Sequence, residues 1–339
     1  MAGMKQSEVD VGAFPLVNLW RGDRVESCHH GHAVIWHADA GLVQAWGDPG
    51  VLIYPRSSCK MIQALPLMES GAGAGLGARQ LALACASHKG AALHVTEVGR
   101  WLADLGLGEG DLRCGAHEPS DLAERDRLIR AHEAPCQIHN NCSGKHAGFV
   151  MMNAHLGADA EYVAPDHPLQ LMIRQAFDEV TGETSPGYGI DGCSAPNFAT
   201  SVTGLARAMA LFAGAQPGGD ARARAMVALR EAMALHPELV AGEGRACTAL
   251  MRAMGGRVAV KTGAEGVFVA IIPEKRIGIA LKVVDGASRA AEMAIAALLV
   301  RLGVLDAAHP AVAGLIGGTQ RNWRGIETGR LALAAGFPG

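Results

Sequence analysis

The chain has 339 residues, of which 49 % are hydrophobic and only 4 % are aromatic, and it carries 44 glycines and a formal net charge of −3. A chain of this length and composition can bury about 75 % of its unfolded surface in one large or two closely packed lobes, which argues against disorder. Because acidic and basic residues are mixed along the chain, the sequence predicts neither a nucleic acid nor an anionic membrane as a partner.

The N-terminal residues 1–11 and the cysteine content indicate a cellular compartment. Glu8 and Asp10 lie where a signal peptide would need an apolar core, and the sequence contains no apolar run of 18 residues. A cytoplasmic location is therefore predicted. In that compartment the eight cysteines are expected to be thiols or metal ligands, most of them buried, and not a disulfide framework.

Strand patterns occur near both ends of the chain. Residues 31–38 and 41–46 predict a β-hairpin, followed by a short third strand at 51–54. Near the C-terminus, Val- and Ile-rich stretches predict three more strands and an apolar segment predicts a helix; in order they are 257–261, 266–272, 277–284 and 287–302.

The middle of the chain has helical apolar spacing. A first helix is predicted from Ser57 to about Glu69, after which the glycine-rich stretch 71–77 breaks the pattern. Further helices are predicted at 94–106, 120–132, 143–156, 167–181, 198–213, 221–235 and 246–254. We therefore predict an α+β fold in which 1–339 form a single catalytic unit, with an antiparallel sheet lobe (about 12–56 and 255–339) and an inserted helical lobe (about 57–254).

The first candidate site is an S-x-x-K motif. Ser57 and Lys60 are three residues apart at a predicted helix start, a spacing that puts both side chains on one helical face, where an amine can activate a hydroxyl as a nucleophile. The spacing alone is equally compatible with a helix cap followed by a solvated lysine.

A second motif favours the nucleophile interpretation. Lys261-Thr262-Gly263 ends a predicted strand, and the order S-x-x-K then K-T-G is that of the class A β-lactamases and penicillin-binding proteins. The S-D-N motif of that set is not present; Ser87-His88-Lys89 is the nearest candidate, and His88 and Lys89 are equally compatible with exposed loop residues. If Lys60 lies close to Lys261, mutual repulsion should lower the pKa of at least one of them.

A third candidate is a pair of cysteines. Cys142 precedes a predicted helix and Cys193 lies in a loop, and two such thiols with His146 or Asp191 could form a zinc site. The spacing is equally compatible with two buried, inert thiols. Cys136 and Cys142 are six residues apart, which fits no common zinc knuckle.

Together these strings resemble the class 3, or rhizobial-type, zinc-binding L-asparaginases, which have a serine β-lactamase-like fold. The similarity spans about residues 25–300. The matching residues are Arg56 to Lys60, Gln63 to Leu65, Cys85 to His88, Asn141 to His146, Pro165 to Pro168, Asp191 to Cys193, His236 to Glu238, Ala241 to Arg245, Lys261, Gly263 and Ala264. Cys59 and Lys89 are local differences from the family pattern.

The resemblance implies roles for particular residues. Catalytic couples would be Ser57 with Lys60 and Ser87 with Lys261, and one zinc per chain would be held by Cys142, Lys145 and Cys193. Arg56 would bind the α-carboxylate of the substrate, which suits a bidentate guanidinium, and His146 and Asp191 would line the pocket. The family also implies a homodimer and L-asparagine as the small-molecule substrate.

The expected function is hydrolysis of L-asparagine to L-aspartate and ammonia through a serine acyl-enzyme. One alternative keeps the fold and changes the substrate, as in a glutaminase, a β-lactamase or a peptidase-like acyl enzyme. An alternative from another class is a non-catalytic, zinc-stabilised binding protein in which Ser57 only caps a helix.

Overall fold

A computed structural model describes residues 9–338, in which twelve strands and thirteen α-helices are formed. Most of the N-terminal stretch in which no signal peptide is predicted therefore lies outside the described residues. The strands are β1 (Phe14–Arg21), β2 (Arg24–His37), β3 (Gly41–Trp46), β4 (Leu52–Ile53), β5 (Tyr188–Ile190), β6 (Pro196–Phe198), β7 (Thr200–Ser201), β8 (Ala259–Thr262), β9 (Val267–Ile272), β10 (Ile277–Val283), β11 (Thr319–Arg321) and β12 (Glu327–Leu333).

The helices are α1 (Lys60–Gln63), α2 (Leu65–Glu69), α3 (Ala78–Ala84), α4 (Ala92–Asp104), α5 (Leu122–Ala131), α6 (Ser143–Leu156), α7 (Pro168–Thr181), α8 (Val202–Gly214), α9 (Ala221–Leu235), α10 (Pro237–Val240), α11 (Ala246–Ala253), α12 (Ser288–Arg301) and α13 (Pro310–Ala313). Within residues 9–338, no helix combines the length and the apolar character that crossing a bilayer requires.

The chain divides into two compact units, and the first consists of Met1–Ser58, Thr200–Gly214 and Ala249–Gly339. Its centre is an antiparallel sheet in the order β11-β12-β1-β2-β10-β9-β8, with β3 also paired to β2. Helix α8 packs against β10 so closely that a Cβ on Gly278 would lie 2.2 Å from the backbone nitrogen of Ala210. Helix α12 packs against β9 and β10.

The second unit consists of Cys59–Ala199 and Ala215–Thr248 and is mainly helical. Helix α6 contacts α3, α4 and α7, and nine of its fourteen residues are buried. A Cβ on Gly144, in the first turn of α6, would lie 2.5 Å from the carbonyl oxygen of Leu83 in α3. The glycine therefore allows the start of α6 to approach α3 at backbone distance.

The predicted fold class, α+β with an antiparallel sheet drawn from both chain ends, is confirmed. The hairpin is confirmed, since β2 and β3 pair from Ala33↔Trp46 to His37↔Gly41. The predicted continuous helix from Ser57 to Glu69 is wrong: a 3₁₀ turn at Arg56–Cys59 leads into α1 and then α2. Pro66 lies in the first turn of α2, where its missing N–H favours a new helix start over continuation of the old helix.

Candidate active site

The serine of the S-x-x-K motif lies in a strained turn of the first unit. Ser57 is the second residue of the 3₁₀ turn at Arg56–Cys59, and its side chain is half-buried. Arg56, directly before it, has a φ of 53°, a left-handed conformation that costs free energy for any residue other than glycine. Strain of this kind persists where the surrounding structure imposes it, and it often marks a functional turn.

The K-T-G segment packs on this same turn. A Cβ on Gly263 would lie 2.6 Å from the carbonyl oxygen of Pro55 and 3.2 Å from the backbone nitrogen of Ser58. The N–H and hydroxyl of Ser58 both donate to the Pro55 carbonyl, at 3.2 and 2.7 Å. Glycine at position 263 is therefore required for the end of β8 to meet the serine turn at backbone distance.

Lys261 is completely buried at the end of β8, and its Nζ donates to the carbonyl oxygen of Thr262 at 2.8 Å. The predicted residues Arg56, Ser57 and Lys261 thus belong to one unit, and the contact of Gly263 with Pro55 and Ser58 places the K-T-G segment beside the serine turn.

A cavity of about 590 Å³ adjoins Arg56 in the first unit. Its wall includes two cationic side chains, Arg56 and Lys282, and three anionic ones, Asp10, Glu265 and Asp285. Lys282 donates from Nζ to the backbone carbonyl of Glu265, and burial lowers its pKa. A cavity with both signs of charge suits a small zwitterion such as an amino acid.

The lysine of the motif is buried in the second unit. Lys60 is only 1 % exposed, and its Nζ donates to the carbonyl oxygen of Ala86 and to the sulfur of Cys142, the latter at 3.1 Å. By sequence, the serine-lysine motif and the cysteine pair are separate candidate sites. The Lys60 contact joins the lysine of one to the cysteine of the other.

The two cysteines of the third candidate meet in the second unit. Cys142 is the residue directly before α6, Cys193 lies after β5, and each of the two thiols shifts the pKa of the other. Lys145, one turn into α6, donates from Nζ to the Cys193 sulfur at 3.1 Å. All three side chains are at least 96 % buried, with exposures of 4 % for Cys142, 3 % for Lys145 and 2 % for Cys193.

The protonation of this cluster is uneven. A hydrogen bond from the Cys142 thiol lowers the pKa of Cys193 well below its ordinary value, and the nearby Lys145 ammonium lowers it further. The same hydrogen bond, together with burial, raises the pKa of Cys142. For Lys145, burial favours the neutral amine, but attraction to the two sulfurs outweighs burial and raises the pKa. These shifts favour a negative charge on Cys193 over one on Cys142, next to a positive charge on Lys145.

His146 follows Lys145 on α6 and is fully buried. Its Nδ1 accepts a hydrogen bond from the hydroxyl of Tyr162 at 2.8 Å, and burial lowers its pKa to about 4. Asp191 is half-buried in the loop before Cys193, and its negative charge contributes to the raised pKa of Lys145. The predicted pocket residues His146 and Asp191 thus both lie close to the thiol cluster.

Ser87 is also buried in the second unit. Its N–H donates to the carbonyl oxygen of Val240 at 2.8 Å, whereas its Oγ has no hydrogen-bond partner among residues 9–338. The following His88 is buried, and its Nε2 donates to the hydroxyl of Ser143, which in turn donates to the Ile138 carbonyl. His88 is therefore part of the support of α6 and not an exposed loop residue.

Among known proteins, a family model described as L-asparaginase II matches residues 17–333 of this chain. The chain belongs to the L-asparaginase II family. Membership supports a hydrolase that acts on a small molecule. No curated protein sequence matches this L-asparaginase II family member.

Several solved structures resemble this family member at low identity. A putative β-lactamase from Bacteroides dorei DSM 17855 has 12 % identity and a TM-score of 0.41, with 75 % of this chain and 84 % of that chain covered. Mglu in its native form has 12 % identity and a TM-score of 0.46, covering 82 % and 66 %. The D-alanine carboxypeptidase AmpC from Burkholderia cenocepacia has 14 % identity and a TM-score of 0.37, covering 81 % and 91 %.

The thiol cluster fits the zinc ligands that the resemblance implies in one respect. The Nζ atom of Lys145 lies 3.1 Å from the Cys193 sulfur, and the lowered pKa of Cys193 favours the thiolate, the form that binds zinc. Among His, Cys, Asp and Glu alone, no three side chains of residues 9–338 are grouped as metal ligands. A zinc site at this position in the family member would therefore need the lysine as a ligand.

Two supporting residues were not predicted from the sequence. Tyr162, which fixes the His146 ring, lies in no motif and no periodic segment, so the sequence does not reveal it. Asn140 accepts from the N–H of Cys142 at 2.8 Å and donates to the carbonyl oxygens of Cys114 and Gly115, both at 2.9 Å. An asparagine three residues before a predicted helix start is a signal that could have identified it.

Proposed function

We propose that this chain is an L-asparaginase that hydrolyses the side-chain amide of L-asparagine through an acyl-enzyme on Ser57. The observation that carries the proposal is the 3.1 Å contact between Lys60 Nζ and Cys142 Sγ, because it connects two constellations that the sequence suggested independently. Two further observations support it: the match to the L-asparaginase II family and the seating of Gly263 on the serine turn.

Under this proposal Lys60 acts as the base for Ser57. A neutral lysine amine has two N–H bonds and one lone pair. The carbonyl of Ala86 and the sulfur of Cys142 accept two hydrogen bonds from Nζ, which would leave the lone pair for the Ser57 proton.

The acylation step would proceed as follows. Ser57 Oγ attacks the amide carbon while its proton moves to Lys60, and the negative charge that develops on the amide oxygen is stabilised by backbone N–H groups, including that of Ser57. The C–N bond then breaks, and ammonia leaves with a proton from the base system. We assign the second couple, Ser87 and Lys261, to relaying protons to and from this intermediate.

Deacylation uses water. Water attacks the aspartyl ester, gives its proton to the base, and releases L-aspartate with the Ser57 hydroxyl restored. Because Ser57 both gains and loses the acyl group, a variant without its hydroxyl should lose both half-reactions.

Arg56 is assigned to the α-carboxylate of asparagine. Its guanidinium lines the charged cavity together with Lys282, while Asp10, Glu265 and Asp285 provide negative charge for an α-ammonium. His146 and Asp191 are assigned to the substrate pocket beside the thiol cluster.

We further propose that Cys142, Lys145 and Cys193 hold one zinc ion. When bound, the ion would supply a positive charge that orients the substrate or polarises its oxygen atoms. The protein's own contribution is a buried thiolate and an amine at 3.1 Å from each other, which must lose a proton to become a ligand. If zinc only orients the substrate, a chelator should raise KM more than it lowers kcat.

A homodimer and a cytoplasmic location also remain proposals. The first rests on the family resemblance, and light scattering coupled to size-exclusion chromatography tests it.

The deciding experiment measures ammonia release from asparagine and from glutamine, and hydrolysis of a chromogenic β-lactam. Wild type and Ser57→Ala are compared, with Ser70→Ala, at the end of α2, as the matched serine control. We expect turnover of asparagine that Ser57→Ala abolishes and Ser70→Ala retains. Preferred turnover of glutamine or the β-lactam would instead support the alternative acyl enzymes.

A non-catalytic, zinc-stabilised binding protein would bind zinc and release no ammonia from any substrate. Metal analysis of the purified protein together with the same assay therefore separates this candidate from the asparaginase.

A further inference from the structure

A second sulfur-containing cluster lies in the second unit and takes no part in the chemistry above. The sulfur of Cys136 is 3.2 Å from Nδ1 of His139, and Nε2 of His139 is 3.4 Å from an Oε1 of Glu124. A thiol, an imidazole and a carboxylate thus follow one another at contact distance. This order is the one in which a base activates a nucleophile and a third group orients the base.

The local backbone fixes the tautomer of the imidazole. Cys136 directly precedes a 3₁₀ turn at Gln137–His139, and its own N–H donates to Nδ1 of His139 at 3.1 Å. Nδ1 therefore carries a lone pair in the neutral ring, and the ring proton lies on Nε2, towards Glu124. This tautomer can take the thiol proton at Nδ1, and the hydrogen bond from the Cys136 N–H breaks as it does so.

The carboxylate is held in place and ionised. Glu124 is 5 % exposed in the first turn of α5, and its Oε1 accepts from Nε of Arg127 at 2.9 Å. That hydrogen bond lowers the pKa of Glu124, and burial only partly opposes it. Glu124 thus places a negative charge 3.4 Å from Nε2 of His139.

The turn itself is anchored by Gln137. Its side chain donates to the carbonyl oxygens of Glu109 and Leu112 at 3.2 and 3.0 Å, and it accepts from the N–H of Gly115 at 2.9 Å. These three bonds fix the backbone between Cys136 and His139, so the sulfur and the ring are held in the observed arrangement.

Accessibility distinguishes Cys136 from most other cysteines. Of the eight cysteines, all of which lie in the described part of the chain, six are buried and only Cys28 and Cys136 are partly exposed. Cys28 is a natural comparison: its sulfur is 3.9 Å from Nε2 of His30, and burial followed by the charge of Asp285 raises its pKa.

We propose that Cys136 is a reactive thiol and a modification site, at which hydroperoxides oxidise the sulfur with His139 as base and Glu124 as the group that orients and stabilises His139. The site is separate from the asparaginase proposal, because none of its three residues belongs to the predicted catalytic or metal-binding set.

The proposed step is balanced. The Cys136 proton moves to His139, and the thiolate attacks one oxygen of the hydroperoxide. An S–O bond forms as the O–O bond breaks, and the leaving alkoxide or hydroxide takes the proton from His139. The sulfur is oxidised by two electrons to a sulfenic acid, and the hydroperoxide is reduced to an alcohol or to water.

The test compares Cys136 with Cys28 in the native, full-length protein. Limiting hydrogen peroxide is added with dimedone as the sulfenic acid trap, remaining thiols are alkylated after denaturation, and the labelled fraction of each cysteine is quantified by peptide mass spectrometry. We expect Cys136 to be oxidised on the order of ten-fold faster than Cys28. Equal rates, or a faster rate at Cys28, would overturn the proposal.

Variants assign the effect to the cluster. His139→Gln should lower the rate at Cys136 to that of Cys28, and Glu124→Gln should lower it in the same direction but less. His30→Gln, the matched change beside Cys28, should leave the ratio of the oxidation rates of Cys136 and Cys28 nearly unchanged. A Cys136 rate that is the same in His139→Gln and wild type would contradict the role of the imidazole. If His139→Gln does not fold, as judged by circular dichroism, two results still test the proposal: the ratio of Cys136 to Cys28 oxidation rates in wild type, and the Cys136 rate in Glu124→Gln.

Discussion

The serine turn of the first unit and the thiol cluster of the second are organised by different forces. Around Ser57 the contacts are between backbone atoms: Gly263 meets the Pro55 carbonyl with no room for a Cβ. Around Cys193 the contacts are between side chains that carry charge, and the thiolate is held by the Cys142 thiol and the Lys145 ammonium. The serine turn should therefore be sensitive to added volume, and the thiol cluster should be sensitive to pH.

The largest expected effect concerns zinc at the thiol cluster. The pKa of Cys193 is lowered, whereas the pKa values of Cys142 and Lys145 are raised, so zinc binding should release about two protons and affinity should rise by about a hundred-fold per pH unit. Calorimetric titration in buffers of different ionisation enthalpy counts the protons. Zinc binding to the Lys145→Met variant should release about one proton fewer than binding to wild type. If the two proteins release the same number of protons, Lys145 is not a ligand.

A second test of the charged region uses His146. Burial lowers its pKa to about 4 in the folded protein, against about 6.5 in the unfolded chain. Between these values only the unfolded state binds the proton, so stability should fall by about 3 kcal/mol as the pH is lowered through this window. Urea unfolding at several pH values measures this loss. His146→Gln should flatten the dependence, and His155→Gln, an exposed change on the same helix, should not.

A third test adds one methyl group to the serine turn. In Gly263→Ala the new Cβ would meet the Pro55 carbonyl at 2.6 Å, so the turn that carries Ser57 must shift. We expect kcat/KM for asparagine to fall by about a hundred-fold, because small displacements of a nucleophile have effects of this size. Gly314→Ala, where a Cβ meets nothing within 4 Å, is the control and should retain activity. Equal activity of both variants would contradict the steric account of the turn.

The smallest expected effect concerns a steric contact at the thiol cluster, where the main contacts are between charged side chains. The charged cluster also depends on one steric contact, since a Cβ on Gly144 would lie 2.5 Å from the Leu83 carbonyl. Gly144→Ala should destabilise the fold by about 1–3 kcal/mol. Gly99→Ala, in the open middle of α4, should instead stabilise it by about 0.5–1 kcal/mol. Chemical denaturation measures both, and the same sign for the two variants would count against the contact.

The elements that the sequence predicted well are those with long periodic patterns. Helices α6 and α9 were predicted within the observed bounds, and the strands β9 and β10 within one residue at either end. Strands β1, β11 and β12 were not predicted. Of the residues in β11 and β12 only Leu331 is buried, so their apolar patterns are weak, and β1 pairs both with β2, which follows it directly in the chain, and with the distant β12.

The candidate site was only partly accessible to sequence reasoning. Motif spacing located Ser57, Lys60, Cys142 and Cys193, because local spacing determines which side chains share a helical face. The contact between Lys60 and Cys142 joins residues 82 positions apart and depends on how α1 packs against its neighbours. Spacing cannot reveal such a contact, and it cannot reveal the hydrogen bond between the Tyr162 hydroxyl and His146.

The central claim is that the acyl group is carried by Ser57, and it can be observed directly. The enzyme is mixed with asparagine, quenched in acid during turnover, digested and mapped by mass spectrometry. The account predicts an aspartyl group on the peptide that contains Ser57, absent from Ser57→Ala, which should also release no ammonia. An adduct on another residue, or more than a few per cent of wild-type ammonia release from Ser57→Ala, would contradict it.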